Sequence, residues 1–295
     1  MSIFRLITKI EGADIEIVPS PFIVGVPRSG TTLLRAMLDA HPDLAVAPET
    51  HYIPEIVRAC EQSATPRATF LEALLSNQRW QKQRVSGELL RHRVKGLGAF
   101  DLGGAFRQSY MLYAERYGKP RWGEKTPSYL LHMGLIQRLL PEAHFIHIIR
   151  DGRDVALSIK DLWFGPNTVE EAAEWWVNRI RSAQRQSKGL ANYMEIRYED
   201  LVLDTEPTVR AVCDFLALPY DSAVLNYHEK SAGRPGKEEP RAGGPIHTLL
   251  AQPPQPSRTC RWKTEMGVAA REYFESVAGE VLQEFGYEIG AAHGR

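Results

Sequence analysis

With 295 residues, 43% hydrophobic and 24% charged, the chain has the length of one large α/β domain, and residues 1–295 are read as a single domain. Lysine plus arginine and aspartate plus glutamate number 36 each, so formal charge is zero and neither nucleic acid nor an anionic membrane surface is favoured as a partner. Three scattered cysteines (Cys60, Cys213, Cys260) argue against a disulfide or zinc framework and for reduced thiols in a cytoplasmic protein, and no apolar run suggests a membrane anchor.

Residues 1–20 alternate polar and apolar positions (Ile7, Ile10, Ile15, Ile17) and predict an edge strand or hairpin. Residues 22–26, Phe-Ile-Val-Gly-Val, form an apolar β-branched run suited to a parallel strand covered on both faces. A turn bracketed by Gly25 and Gly30 follows, then a helix from about Thr31 to His41, which Pro42 stops. Such a turn aims backbone N–H groups and the positive end of the helix at one point, an anion cradle suited to phosphate or sulfate. Gly25-x-x-x-x-Gly30 has Walker-loop spacing, but Thr31-Thr32 stands where a nucleotide triphosphatase carries Lys-Ser or Lys-Thr. The cation, Arg28, lies inside the loop instead and offers a planar fork of donors suited to a sulfuryl group in transfer.

Residues 43–46 read as a second short strand ending at Ala47-Pro-Glu-Thr-His-Tyr52. Residues from about 54 to 118 are helical in composition, an insertion that covers a sheet edge or builds a cleft. Trp122-Gly123 suggests a strand end, and Thr126-Pro127 reads as the N-cap and first residue of a helix running to about Leu140, with Lys125 at its mouth. The strand 144–149 delivers Arg150, and Ser158 lies two turns along the next helix on the face of Asp151 and Asp154. An arginine at a strand end with a helix-borne hydroxyl can hold a second phosphate, the alternative being a surface pair of Arg150 or Arg153 with Asp154. A long helix over about 168–187 carries Trp175-Trp176 as core, and 193–197 is a further strand. Residues 233–256 are rich in proline, glycine and charge and read as a mobile lid, before a last helix over about 266–285. These elements predict an α/β, P-loop-like three-layer fold with a central, mainly parallel sheet flanked by helices.

In chain order, Pro27-Arg-Ser-Gly-Thr-Thr32, Glu49-Thr50, Glu124-Lys-Thr-Pro127 and Ile149-Arg-Asp-Gly-Arg153 with Ser158 resemble the sulfotransferases that use 3′-phosphoadenosine-5′-phosphosulfate (PAPS). Residues 26–54 are similar to tyrosylprotein sulfotransferases, whereas Glu-Lys-Thr-Pro-x-Tyr is nearer to the heparan-type carbohydrate sulfotransferases. The resemblance implies direct in-line transfer of a sulfuryl group from PAPS, as co-substrate, to a hydroxyl acceptor, with no metal. It implies that Arg28, Ser29, Gly30, Thr31 and Thr32 hold the 5′-phosphosulfate and that Arg150 and Ser158 hold the 3′-phosphate. Tyr198 would lie near the nucleotide, and Arg261 or Lys263, from a loop over 233–263, would touch phosphate.

Lys125 and Arg28 would then stabilise charge on the departing oxygen, and Glu49 would be the general base. His51 competes for that role, since two residues along an extended segment it points to the same side; otherwise it orients the acceptor or the carboxylate. It stands where tyrosylprotein members carry Arg, which leaves the acceptor open among a small molecule, a carbohydrate, a lipid and a peptide tyrosine. Two other classes use the same cradle. A P-loop nucleotide kinase needs Lys before Thr31 and a magnesium-binding acidic strand end, and a non-catalytic nucleotide-binding protein has no need of Glu49.

Overall fold

A computed structural model describes residues 6–10, 13–160, 162–229 and 250–290. Strands β1 (Leu6–Ile10) and β2 (Ala13–Ile17) pair antiparallel as a hairpin, as the alternation predicts. The main sheet comprises β3 (Ser20–Gly25), β4 (Leu44–Ala47), β5 (Arg121–Lys125), β6 (Ala143–Ile149) and β7 (Tyr193–Arg197). Its order is β4-β5-β3-β6-β7 and every pairing in it is parallel. This is the P-loop-like three-layer fold, with the cradle strand at its centre.

Alternation along β3 and β6 feeds two cores, one on each face of the sheet. Phe22, Val24 and Phe145 enter one cluster, while Ile23, Ile146 and Ile148 enter the other, all fully buried. The second cluster is covered by α1 (Thr31–Ala40), and the helical insertion between β4 and β5 covers the first. That insertion consists of α2 (Ile53–Glu61), α3 (Pro66–Ser76), α4 (Gln78–Lys82), α5 (Gly87–Gly96) and α6 (Leu102–Arg116), within the predicted span. Next come α7 (Met133–Leu139), α8 (Gly152–Ile159) and α9 (Val169–Ser187). The chain continues through α10 (Tyr198–Leu203), α11 (Thr205–Phe215), α12 (Trp262–Glu265) and α13 (Val268–Glu284). Gly25 ends β3 where a Cβ would stand 2.7 Å from the Ile148 carbonyl oxygen, so the backbone of β6 comes close to the entry of the cradle.

Two expectations are corrected, and a third lies mostly outside the described residues. No continuous helix runs from Pro127: a 3₁₀ turn (Pro127–Leu131) precedes α7, with Thr126 at its N-cap position but making no side-chain cap bond, since its Oγ1 accepts from the Thr50 N–H instead. Trp175-Trp176 is split, with Trp176 in the core and Trp175 lining a cavity. The lid read over 233–256 lies outside the described residues up to 249. Beyond its far end, Trp262 N–H donates to Asp154 Oδ1 at 2.9 Å, and the buried Trp262 ring lies 3.4 Å from the Arg153 guanidinium. Cys60, Cys213 and Cys260 are free thiols, and among the described residues no helix is long and apolar enough to cross a membrane.

Candidate active site

A cavity of about 700 Å³ opens at the C-terminal ends of the strands, where open α/β sheets collect their ligands. Its floor is the turn between β3 and α1. Arg28 (φ 77°) and Gly30 (φ 96°) both adopt left-handed backbone, which turns the chain sharply into the helix. Gly30 is the N-cap and no side chain caps α1; the Leu33 N–H donates to the Gly30 carbonyl, which leaves the Thr31 and Thr32 N–H groups for a ligand. Only glycine fits there, because a Cβ would sit 2.3 Å from the Tyr198 ring, packed directly on the loop.

The two predicted oxyanion pockets are one continuous surface. Arg28 Nε donates to Ser158 Oγ at 3.0 Å, across the gap between the β3 and β6 units. Arg150, at the end of β6, donates to the Arg28 carbonyl at 3.0 Å and to the Arg258 carbonyl at 2.7 Å. Its guanidinium lies 4.6 Å from the Tyr198 ring centroid and 3.4 Å from Asp154 Oδ2. Burial lowers the Arg28 pKa, and the positive charges of Arg150, Arg258 and Arg261 lower it further. Among the described residues Arg28 has no carboxylate partner, so an anion is what this cluster lacks. The Arg150 Nε is likewise buried and unpaired.

On the rim stands a second constellation. Glu49 Oε1 accepts from Lys125 Nζ at 2.6 Å, and Lys125 also reaches Thr32 Oγ1 in the first turn of α1 at 3.3 Å. Glu49 Oε2 lies 3.0 Å from His51 Nε2, whose Nδ1 is 3.1 Å from Ser128 Oγ. His51 meets Glu49 as expected, though the chain turns through φ 57° there rather than staying extended. Burial pushes the Glu49 carboxyl up, but the His51 hydrogen bond and the Lys125 charge outweigh it and hold the group well below the usual carboxylate range. Burial pushes the Lys125 ammonium down, opposed by Glu49.

Arg28, Gly30, Thr31, Thr32, Glu49, His51, Arg150, Ser158, Tyr198 and Arg261 all line the cavity. Lys125 meets it through Glu49. Ser29 and Lys263 depart from expectation. Ser29 is fully buried with its Oγ unpaired and does not line the cavity. Lys263 pairs with Glu288 and does not line the cavity, whereas Arg261, its alternative, does, and so does Arg258. Residues 257–263 already placed Arg258 in the right stretch, but alternation cannot tell which arginine of a short helical turn faces inward. Arg79 was missed outright: on α4 it donates to the Glu49 carbonyl at 3.2 Å, and nothing in an insertion of helices marks it.

A parallel α/β sheet whose central strand leads through a tight turn into a helix, with a Glu-Lys pair at the neighbouring strand ends, defines the P-loop-like class of α/β folds. Within that class the chain belongs to the Sulfotransferase family, whose profile matches residues 19–222. It is 32% identical over 241 residues to protein-tyrosine sulfotransferase A of Caenorhabditis elegans, covering 78% of this chain and 58% of that protein. Human protein-tyrosine sulfotransferase 1 is 32% identical over 227 residues, covering 74% of this chain and 56% of that protein. The chain thus spans about half the length of the curated relatives it matches. Among solved structures, the sulfotransferase domain of the Synechococcus PCC 7002 olefin synthase superposes with TM-score 0.60 at 24% identity, covering 92% of this chain and 96% of that one. The sulfotransferase domain from the curacin biosynthetic pathway gives 0.57 at 21%, covering 92% and 99%. Both share the fold.

Proposed function

We propose that the chain transfers a sulfuryl group from PAPS to a hydroxyl acceptor by in-line displacement, with Glu49 as general base. The observation that supports this reading is a shared cavity: the Glu49–Lys125 pair stands on the rim of the space floored by Arg28, Arg150 and Ser158. The residues fit an adenosine bisphosphate, because Arg28 lacks a carboxylate partner among the described residues and the buried Arg150 Nε has an unused donor. When bound, PAPS supplies an already activated sulfuryl group, so no covalent enzyme intermediate is needed.

The protein's part is to bind, orient and move one proton. Arg28 and the first turn of α1 hold the 5′ end; Arg150 and Ser158 hold the 3′-phosphate, with Tyr198 packed against the loop. Lys125 is shared between Glu49 and the cradle through Thr32. Whatever charge Lys125 lends to a bound anion it withdraws from Glu49, whose carboxyl then rises toward its ordinary range and becomes a better proton acceptor. His51, braced by Ser128, keeps the carboxylate aimed. The acceptor is a hydroxyl; identity to protein-tyrosine sulfotransferases makes a peptide tyrosine one candidate beside small-molecule, carbohydrate and lipid alcohols.

The test is calorimetry with adenosine 3′,5′-bisphosphate, followed by transfer of label from radiolabelled PAPS to an acceptor panel in the presence of EDTA. Binding and metal-independent transfer are expected. Magnesium-dependent ATP turnover without bisphosphate binding would overturn the proposal in favour of a kinase.

A further inference from the structure

Beneath the Glu49–Lys125 pair lies a buried polar cluster for which the chemistry above has no use. Glu124, the residue before Lys125 on β5, is fully buried. Its Oε1 accepts from Thr50 Oγ1 at 3.0 Å and from Thr126 Oγ1 at 2.5 Å. Thr126 Oγ1 in turn accepts from the Thr50 N–H at 2.9 Å. Tyr129 OH lies 2.7 Å from Thr50 Oγ1 and accepts from the Ile53 N–H at 3.1 Å. Glu124 thus closes a triangle with two threonines.

The chain positions of those threonines give the triangle its meaning. Thr50 directly follows Glu49, and Thr126 directly follows Lys125. The parallel ladder between β4 and β5 ends at the pair Ala47 and Glu124. Beyond it no strand pairing fixes the segment carrying Glu49 relative to the one carrying Lys125. The side-chain triangle takes over where the backbone ladder stops. Two atoms of the Thr50 residue, N and Oγ1, are engaged, which limits rotation of the segment as well as its separation.

We propose that Glu124 is a positioning residue, whose carboxyl ties Thr50 to Thr126 and thereby sets the 2.6 Å contact between Glu49 and Lys125. Burial raises the Glu124 pKa to about 8, so at neutral pH the group is the protonated acid, a neutral tie that does not compete with Glu49 for the Lys125 charge. The titratable groups facing it are Lys125 beside it, Tyr52 at the start of α2, Tyr110 on α6 and Tyr129, and burial raises the pKa of each tyrosine. Among the described residues Glu124 Oε2 and the Tyr52 and Tyr110 hydroxyls have no hydrogen-bond partner. A carboxylic acid kept only for packing would not need both threonines on one oxygen.

The kinetic consequence rests on the sulfotransferase reading; the geometric one does not. The experiment therefore follows Glu49 itself, by carboxyl 13C NMR on the full ligand-free chain, with Glu49→Gln to assign the resonance. In the wild type and in Glu124→Gln, whose amide oxygen keeps both acceptor bonds, Glu49 titrates well below the usual range. In Glu124→Leu its midpoint rises by about one unit or more as the Lys125 contact loosens. An unmoved Glu49 titration in Glu124→Leu overturns the inference. Where Glu124→Leu does not fold, Thr126→Val removes one side of the triangle: the same rise supports the inference and its absence overturns it. In PAPS turnover, Glu124→Leu is expected to lose on the order of tenfold or more in kcat, with the donor KM within about threefold, and Glu124→Gln to recover it. Loss in KM alone would contradict a positioning role. A wild type that transfers no sulfuryl group would sink the proposed function, while the Glu49 titrations would still decide the role of Glu124.

Discussion

Glu49→Gln separates the two candidate bases, because the amide keeps the side chain's shape and one acceptor oxygen while removing the charge. If Glu49 takes the acceptor's proton, turnover falls by about 10²–10⁴, which is roughly 3–5 kcal/mol on the barrier. The same change removes the partner of Lys125, which is 5% exposed, from a carboxylate that is 34% exposed. The pair lies between a surface ion pair, worth roughly 0–1 kcal/mol, and a fully buried one, whose breaking costs roughly 3–5 kcal/mol. A loss of about 1–2 kcal/mol follows, seen as a fall in Tm of several degrees. Because the folded carboxyl is depressed, the stability Glu49 contributes is present above its unfolded value of 4.5 and is lost as pH falls through the folded value, a dependence the variant lacks. The assay is single-turnover transfer from radiolabelled PAPS beside calorimetric titration with adenosine 3′,5′-bisphosphate, whose Kd is expected to stay within about threefold. Turnover within tenfold of wild type, with unaltered nucleotide binding, would refute the assignment and move the proton to His51. Losses matched between binding and turnover would instead make Glu49 part of the nucleotide site.

Further outcomes are expected from the same geometry. Raising the pH from 4.5 to about 8 costs the wild type stability relative to Glu124→Gln, by at most about 5 kcal/mol, since the folded carboxyl retains its proton over that window and the unfolded one does not. Urea midpoints at pH 5, 7 and 8.5 check this, and parallel curves for the two proteins would rule it out. Gly30→Ala puts a Cβ into the Tyr198 ring and forces a left-handed backbone that costs roughly 1–2 kcal/mol by itself. Bisphosphate affinity then drops by about tenfold or more, read by calorimetry, and an unchanged Kd would show that the loop is not the cradle. Arg258→Ala weakens bisphosphate binding and flattens its salt dependence, whereas Lys263→Ala, whose partner is Glu288, changes neither. The reverse pattern would restore Lys263 to the site.

The cradle was legible because its chemistry is written in consecutive residues: an apolar strand, two glycines and Arg28 leave few other conformations for residues 22–32. Arg150 and Ser158 were legible as a pair because one strand-to-helix turn fixes their spacing. That the two units share one surface depends on β3 and β6 lying side by side, a register no local pattern states. The missing side-chain cap at Thr126 has a related reason. Thr-Pro is an N-cap signal and Thr126 does take the N-cap position, but its Oγ1 accepts from the Thr50 N–H and donates to the fully buried Glu124, so tertiary partners take the place of the helix N–H groups. Lys263 and Arg258 differ by five residues on a tightly wound stretch, where one residue of rotation exchanges inside for outside.

The strand at the middle of the sheet has both its neighbours far away along the chain. Phe22 stands beside Glu124 on one side and Phe145 on the other, more than a hundred residues downstream in each case. At about 5–20 residues per second, a newly made Phe-Ile-Val segment waits on the order of ten seconds before either companion leaves the ribosome. Over that interval the strand's apolar residues have α1 and then the insertion helices to pack against, but no strand partner on either side. Its assembly is governed by these distant pairings, and the cradle closes late in the birth of the molecule.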